Sequence, residues 1–153
     1  MVEDTSGWSL RSVLISVSDL DRSISFYQDL MNTQELRRAD RMAIVGSDVT
    51  GSLMFILRQA SRSAVHSGQQ SLGLRSFSCS VGPPAELDRV EERLRALNAF
   101  RDRLVIGDGA KFEVVRGYDP DRLPMTFVAF EVGSAMSPDD YLGAMSQMYD
   151  VDI

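Results

Sequence analysis

The feature that most constrains this chain is an order of segments, strand, helix and three strands, that can be followed through it twice. In the first pass residues 11–17 alternate, with Val13, Ile15 and Val17 on one side and Ser12, Leu14 and Ser16 on the other, as in a half-buried strand. Ser18-Asp19 supplies a helix N-cap. Leu20, Ile24, Tyr27 and Met31 then recur at helical spacing as far as Asn32. Residues 33–38, 42–46 and 53–57 read as strands, separated by turn-rich 39–41 and 46–51. The second pass opens with a strand at 74–81. A helix follows that starts at Pro83-Pro84 and is lined by Leu87, Val90, Leu94 and Leu97, and further strands are expected at 103–106, 112–116 and 126–132. The period is about 65 residues and is carried by pattern, hardly at all by residue identity.

These segments predict an α+β fold, one domain over 1–153 made of a βαβββ module at 9–58, a linker at 59–73 and a second βαβββ module at 74–133. Residues 134–153 are expected to form a C-terminal helix. Ser137-Pro138-Asp139-Asp140 supplies its cap and an acidic first turn, and Met136, Tyr141, Met145 and Met148 its apolar face. Strand parity divides each module into two faces. Val13, Ile15 and Val17 cover the helix, leaving Ser12, Leu14 and Ser16 opposite. By the same parity Phe77, Cys79 and Val81 belong to the core, and Ser76, Ser78 and Ser80 to the other face. Cys79 is thus expected to be an inert core thiol.

The run Ser18-Asp-Leu-Asp-Arg-Ser-Ile-Ser-Phe-Tyr-Gln-Asp-Leu30 resembles the signature of the vicinal oxygen chelate superfamily, which includes glyoxalases, bleomycin-resistance proteins and extradiol dioxygenases. In that signature a strand ending in Val meets Asp-Leu and then a helix bearing Ser and a Phe-Tyr pair. With the repeat, the resemblance extends over about residues 9–133. It implies two modules paired into a cupped, barrel-like mixed sheet with the helices outside. The cup would be lined by Ser12, Leu14, Ser16, Met54, Ile56, Arg58, Ser76, Ser78, Phe127 and Glu131, with Ala129 beside them.

Metal-dependent members of this superfamily hold a divalent ion with His or Glu on the first and last strands of each module. Aligned on Val17 and Val81, those positions fall on Ser12 and Ser76, neither of which substitutes for imidazole. Residues 52–57 contain no acid and no histidine. Only Glu131 matches a ligand position, and the longer turn after Asp119-Pro120-Asp121 leaves its register open to a slip that would take it out of the cup. The single histidine, His66, falls in the linker, where an exposed loop residue is expected. No metal and no cofactor is therefore expected. In the cup Glu131 would need a partner such as Arg58, or a raised pKa, and it is the candidate catalytic acid or base if the protein is an enzyme. Tyr27 and Tyr118 are weaker candidate contacts, on a helix core and a loop.

Composition limits the partners. Sixteen Lys and Arg against 22 Asp and Glu give a net charge of -6, which disfavours nucleic acid and suits a cationic or neutral ligand. Lys111 is the only lysine, readable as a Schiff-base nucleophile or more simply as codon bias. One cysteine excludes an internal disulfide and a cysteine-cluster zinc site, and with no signal pattern or membrane-length apolar run the expected location is the cytoplasm. The leading expectation is a homodimeric, metal-independent binding protein of the bleomycin-resistance type, sequestering an antibiotic or secondary metabolite. The alternatives are a metal-free cyclase, isomerase or hydrolase of secondary metabolism using Glu131, and a glyoxalase- or dioxygenase-like metal enzyme recruiting His66, Glu131, Asp40 or Glu113.

Overall fold

The computed structural model describes residues 10–48, 52–66, 74, 76–106 and 112–129. The chain divides into two compact units, Met1–Ala64 and Val65–Ile153. The first contains β1 (Ser12–Val17), α1 (Leu20–Met31), β2 (Gln34–Ala39), β3 (Met42–Gly46) and β4 (Met54–Gln59). Its sheet has the order β1-β4-β3-β2, with β1 and β4 parallel and the other neighbours antiparallel. The second contains β5 (Phe77–Ser80), α2 (Pro84–Ala96), β6 (Phe100–Ile106), β7 (Phe112–Tyr118) and β8 (Pro124–Ala129), in the order β5-β8-β7-β6 with the same directions. The fold is therefore α+β, with βαβββ present twice. A strand that returns parallel to its predecessor needs a crossover, and in each unit the helix and the following hairpin provide it.

Local chemistry fixes the helices. The Asp19 carboxylate accepts a hydrogen bond from the Arg22 N–H at 3.0 Å, and Asn32, at φ 51°, closes α1 by donating its backbone N–H to Gln28. In α2 Pro84 takes the first turn, where a missing N–H costs nothing, while Arg93 and Arg95 sit at the negative end of the helix dipole. Each helix buries one face on its own sheet. Tyr27 is fully buried and stacks on Phe55 with ring centroids 5.1 Å apart, beside Val17, Leu30 and Leu57. In the second unit Leu87 and Leu94 fill the same layer with Val115 and Met125. There the helix lies so close that a Cβ on Gly117 would stand 2.5 Å from the Ala99 carbonyl oxygen and 3.0 Å from Leu94.

Several boundaries differ from the sequence expectation. β4 runs two residues past Leu57, and there the Gln59 amide clamps the start of α1: its Oε1 accepts from the Leu20 N–H at 2.9 Å and its Nε2 donates to the Ser18 carbonyl at 2.5 Å. β6 begins at Phe100 and not at 103, since a bulge between Phe100 and Asp102 breaks the alternation that would reveal a strand. β8 begins at Pro124 and not at 126. The Asp119 carboxylate accepts from the backbone N–H of Asp121 and of Leu123 at 2.9 and 2.8 Å, which turns the chain within five residues and sets Tyr118 opposite Pro124. Residues 130–132 and the proposed helix at 134–153 lie outside the described residues.

Candidate functional site: the sheet faces turned away from the helices

Cross-strand pairing places residues on a face without ambiguity. In the first sheet Leu14 lies beside Ile56, Ile56 beside Ile44 and Ile44 beside Arg37; the next row is Ser16, Arg58, Met42 and Ala39. Met54 pairs with Ser12 on the same face. This face lies opposite α1 and is open: Leu14 is 53% exposed, Met42 39%, and Ser12, Ser16, Arg37 and Arg58 are all exposed. The structure thus brings Ser12, Leu14, Ser16, Met54, Ile56 and Arg58 together on one surface, as parity required. It adds Met42, Ile44 and Arg37, which the sequence reading passed over. Met42 and Ile44 could have been found from their alternation with Ala43 and Val45, which are buried at 1%.

The second sheet differs. Ser78 and Ser80 pair with Thr126 and Val128, and these adjoin Arg116 and Val114 on β7 and, through them, Asp102 and Leu104 on β6. Phe127 pairs with Cys79 and Val115, in the same layer as Gly117, which touches α2. The expectation that Phe127 and Ala129 share a face with Ser76 and Ser78 is therefore corrected: both point to the helix side, and Thr126 and Val128 stand opposite. Cys79 is half-buried there, and burial pushes its thiol up to about 11, so it is a poor nucleophile at neutral pH. Glu131 lies outside the described residues, as does Lys111.

Within this second face the charges neutralise one another. Arg116, 8% exposed, donates from Nε and Nη2 to the two Asp102 carboxylate oxygens at 2.7 and 2.6 Å. The guanidinium holds the Asp102 carboxyl below the usual carboxylate range, against the opposing pull of burial. Thr126, Val128 and Val114 are nearly inaccessible, so this face is buried along β7 and β8, where the equivalent strands of the first sheet are open, while Ser78 and Ser80 on β5 remain exposed.

The other candidates disperse. Glu113 lies on the helix side, where its Oε2 accepts from Arg103 Nη2 at 2.6 Å; Arg103 also reaches Asp88 at 2.6 Å and Glu91 at 3.2 Å. His66 is exposed, with Nδ1 3.1 Å from the Asp121 carbonyl oxygen, an arrangement in which Nδ1 carries the proton. Tyr27 is core, and Tyr118 packs under Arg122 at 4.3 Å. Among the described residues no three His, Cys, Asp or Glu side chains lie close enough together to hold a metal ion. The residues at the expected ligand positions that are described, Ser12 and Ser76, are hydroxyls. The described side chains thus do not fit the divalent ion that the resemblance implies.

Two βαβββ units with β1-β4-β3-β2 sheets and a side-chain-lined face opposite each helix define the class. The chain belongs to the Glyoxalase/Bleomycin resistance protein/Dioxygenase superfamily, whose sequence profile matches residues 9–124. A glyoxylase/bleomycin resistance protein/dioxygenase domain from Frankia sp. EAN1pec is 26% identical, with a TM-score of 0.66 over 84% of this chain and 95% of that one. A fosfomycin resistance protein from Listeria monocytogenes, 17% identical, shares the fold at a TM-score of 0.60 over 83% of this chain and 95% of its own. Lactoylglutathione lyase from Agrobacterium tumefaciens, 16% identical, does so at 0.59 over 79% and 92%. No curated protein matches the sequence significantly.

Proposed function

We propose that this protein is a metal-independent small-molecule binder of the bleomycin-resistance type, holding an antibiotic or secondary metabolite on its first sheet face. The observation that carries the proposal is the chemistry of that face. It offers apolar Leu14, Ile44, Ile56, Met42 and Met54 beside hydroxyls and guanidinium groups, and among the described strand residues no carboxylate or imidazole. Such a surface can desolvate and orient a ligand, and it has no group suited to proton transfer at neutral pH. On the second face the strand carboxylate, Asp102, is occupied by Arg116. In this reading the protein acts as a homodimer in the cytoplasm; no helix among the described residues is long and apolar enough to cross a membrane.

The test is a thermal-shift screen of antibiotics and aromatic metabolites, repeated with EDTA and with added divalent ions. Stabilisation that survives EDTA, with the compound recovered unchanged, is the expected result. Stabilisation that requires a divalent ion would favour a metal enzyme. Conversion of the compound, abolished by Glu131→Gln, would replace the binding role with metal-free catalysis.

A further inference from the structure

We infer that the open face of the first sheet is a site for small organic anions, taking an aromatic or alkyl body over its apolar rows and a carboxylate, phosphonate or sulfonate at Arg37 and Arg58. The inference rests on the proposal that this face binds a small molecule and names the class.

Its basis is a contrast among arginines. Arg38, Arg89, Arg95, Arg103 and Arg116 each pair with a carboxylate. Arg37 and Arg58 make no ion pair among the described residues; Arg11, Arg41, Arg62 and Arg122 also lack one, and what sets Arg37 and Arg58 apart is their place in the rows of the open face. The nearest contrast is Arg38: it turns to the helix side, where it meets Asp21 at 2.6 Å and Glu35 at 3.0 Å, while its neighbour Arg37 is sent to the open face by the register shift between Glu35 and Arg37. No Asp or Glu of β1 to β4 projects from that face. Strand spacing sets the Arg37 and Arg58 Cα atoms about 12 Å apart, with Ile44 and Met42 between them. A guanidinium offers a planar fork of N–H donors that matches an oxyanion, and here neither fork forms an ion pair among the described residues. The net charge of -6 acts at long range and favours cations; at contact, the acid-free face selects the opposite sign.

The test uses the full chain and two fluorescent dyes of similar body, anilinonaphthalene sulfonate and the uncharged N-phenylnaphthylamine, with methionine methyl NMR to locate them. The wild type is expected to bind the sulfonate at least about tenfold more tightly than the neutral dye, with the Met42 and Met54 methyl signals moving. The Arg37→Gln/Arg58→Gln variant should lose roughly tenfold or more for the sulfonate and less than about twofold for the neutral dye. An Arg37→Lys/Arg58→Lys variant, which keeps the charge and loses the fork, should fall between, and guards against a misfolded Gln variant. Phenylphosphonate and phenylacetate as competitors then separate the two natural sources of the anion. Equal affinity for the two dyes, or an equal loss for both in the Gln variant, overturns the anion assignment while leaving the binding face in place. If the sulfonate binds without moving Met42 and Met54, the binding face itself is overturned.

Discussion

The two modules repeat one chain path and differ in what they leave exposed. Position for position, β3 Ile44 and β4 Ile56 and Arg58 correspond to β7 Arg116 and β8 Thr126 and Val128, as fixed by the matching pairs Leu57 with Ala43 and Phe127 with Val115. In the first module these side chains meet solvent. In the second they are buried and their charge is internally neutralised by Asp102. Along these strands one copy of the fold leaves its face open and the other closes it around an ion pair. The repeat supplies the frame, and the side chains of one face decide its use.

That comparison can be broken at matched positions. Leu57 and Phe127 both face the helices in our assignment, so Leu57→Ala and Phe127→Ala should each lower the unfolding free energy by about 2–5 kcal/mol in chemical denaturation. A Phe127→Ala cost below about 1 kcal/mol would contradict the packing of this buried ring in the core. Gly117→Ala should cost about 1–3 kcal/mol, because the backbone oxygen of Ala99 has no room to yield. The corresponding site in the first module already holds a buried valine, Val45.

Charge separates the modules next. Asp102→Ala should cost about 1–3 kcal/mol, less than for a fully buried pair since the Asp102 side chain is 32% exposed, whereas Arg58→Ala should stay within about 0.5 kcal/mol. The pH dependence has a definite sign. Because Arg116 depresses the folded-state pKa of Asp102, the pair's contribution is present above the ordinary carboxylate range, near 4, and is lost as pH falls through the depressed value. Thermal melts of Asp102→Asn should thus lose less stability than wild type on acidification below about pH 4. The smallest effect is a gain. Ser23 and Leu87 both lie four residues past their N-caps and are fully buried, but the Ser23 hydroxyl has no hydrogen-bond partner among the described residues. Ser23→Ala should stabilise the chain by up to about 1 kcal/mol, and a loss of that size would reveal a bond to Ser23 that this account lacks.

What the sequence disclosed follows the same division. β1 and α1 were legible because each is buried on one side only, so period 2 and period 3.6 survive in the residues. The open-face set from Ser12 to Arg58 followed directly from that parity. β8 was not legible: Met125 to Ala129 are buried throughout, and a strand covered on both faces carries no alternation from which to read its parity. Parity alone therefore sends Phe127 to the wrong side and gives no sign of Thr126. Two bulges, at Glu35/Arg37 and Phe100/Asp102, hid Arg37 and the start of β6 for a related reason, since an inserted residue reverses parity at a point the sequence does not mark.

Both proposals require that ligands engage the open face of the first module without a metal ion. Methionine methyl spectra, recorded in EDTA with the compound that stabilises the protein most, test it directly. Shifts are expected at Met42 and Met54 and none at Met125, which is fully buried on the helix side of the second sheet. Shifts that appear only when a divalent ion is restored, or that fall on Met125 and spare Met42 and Met54, would contradict it.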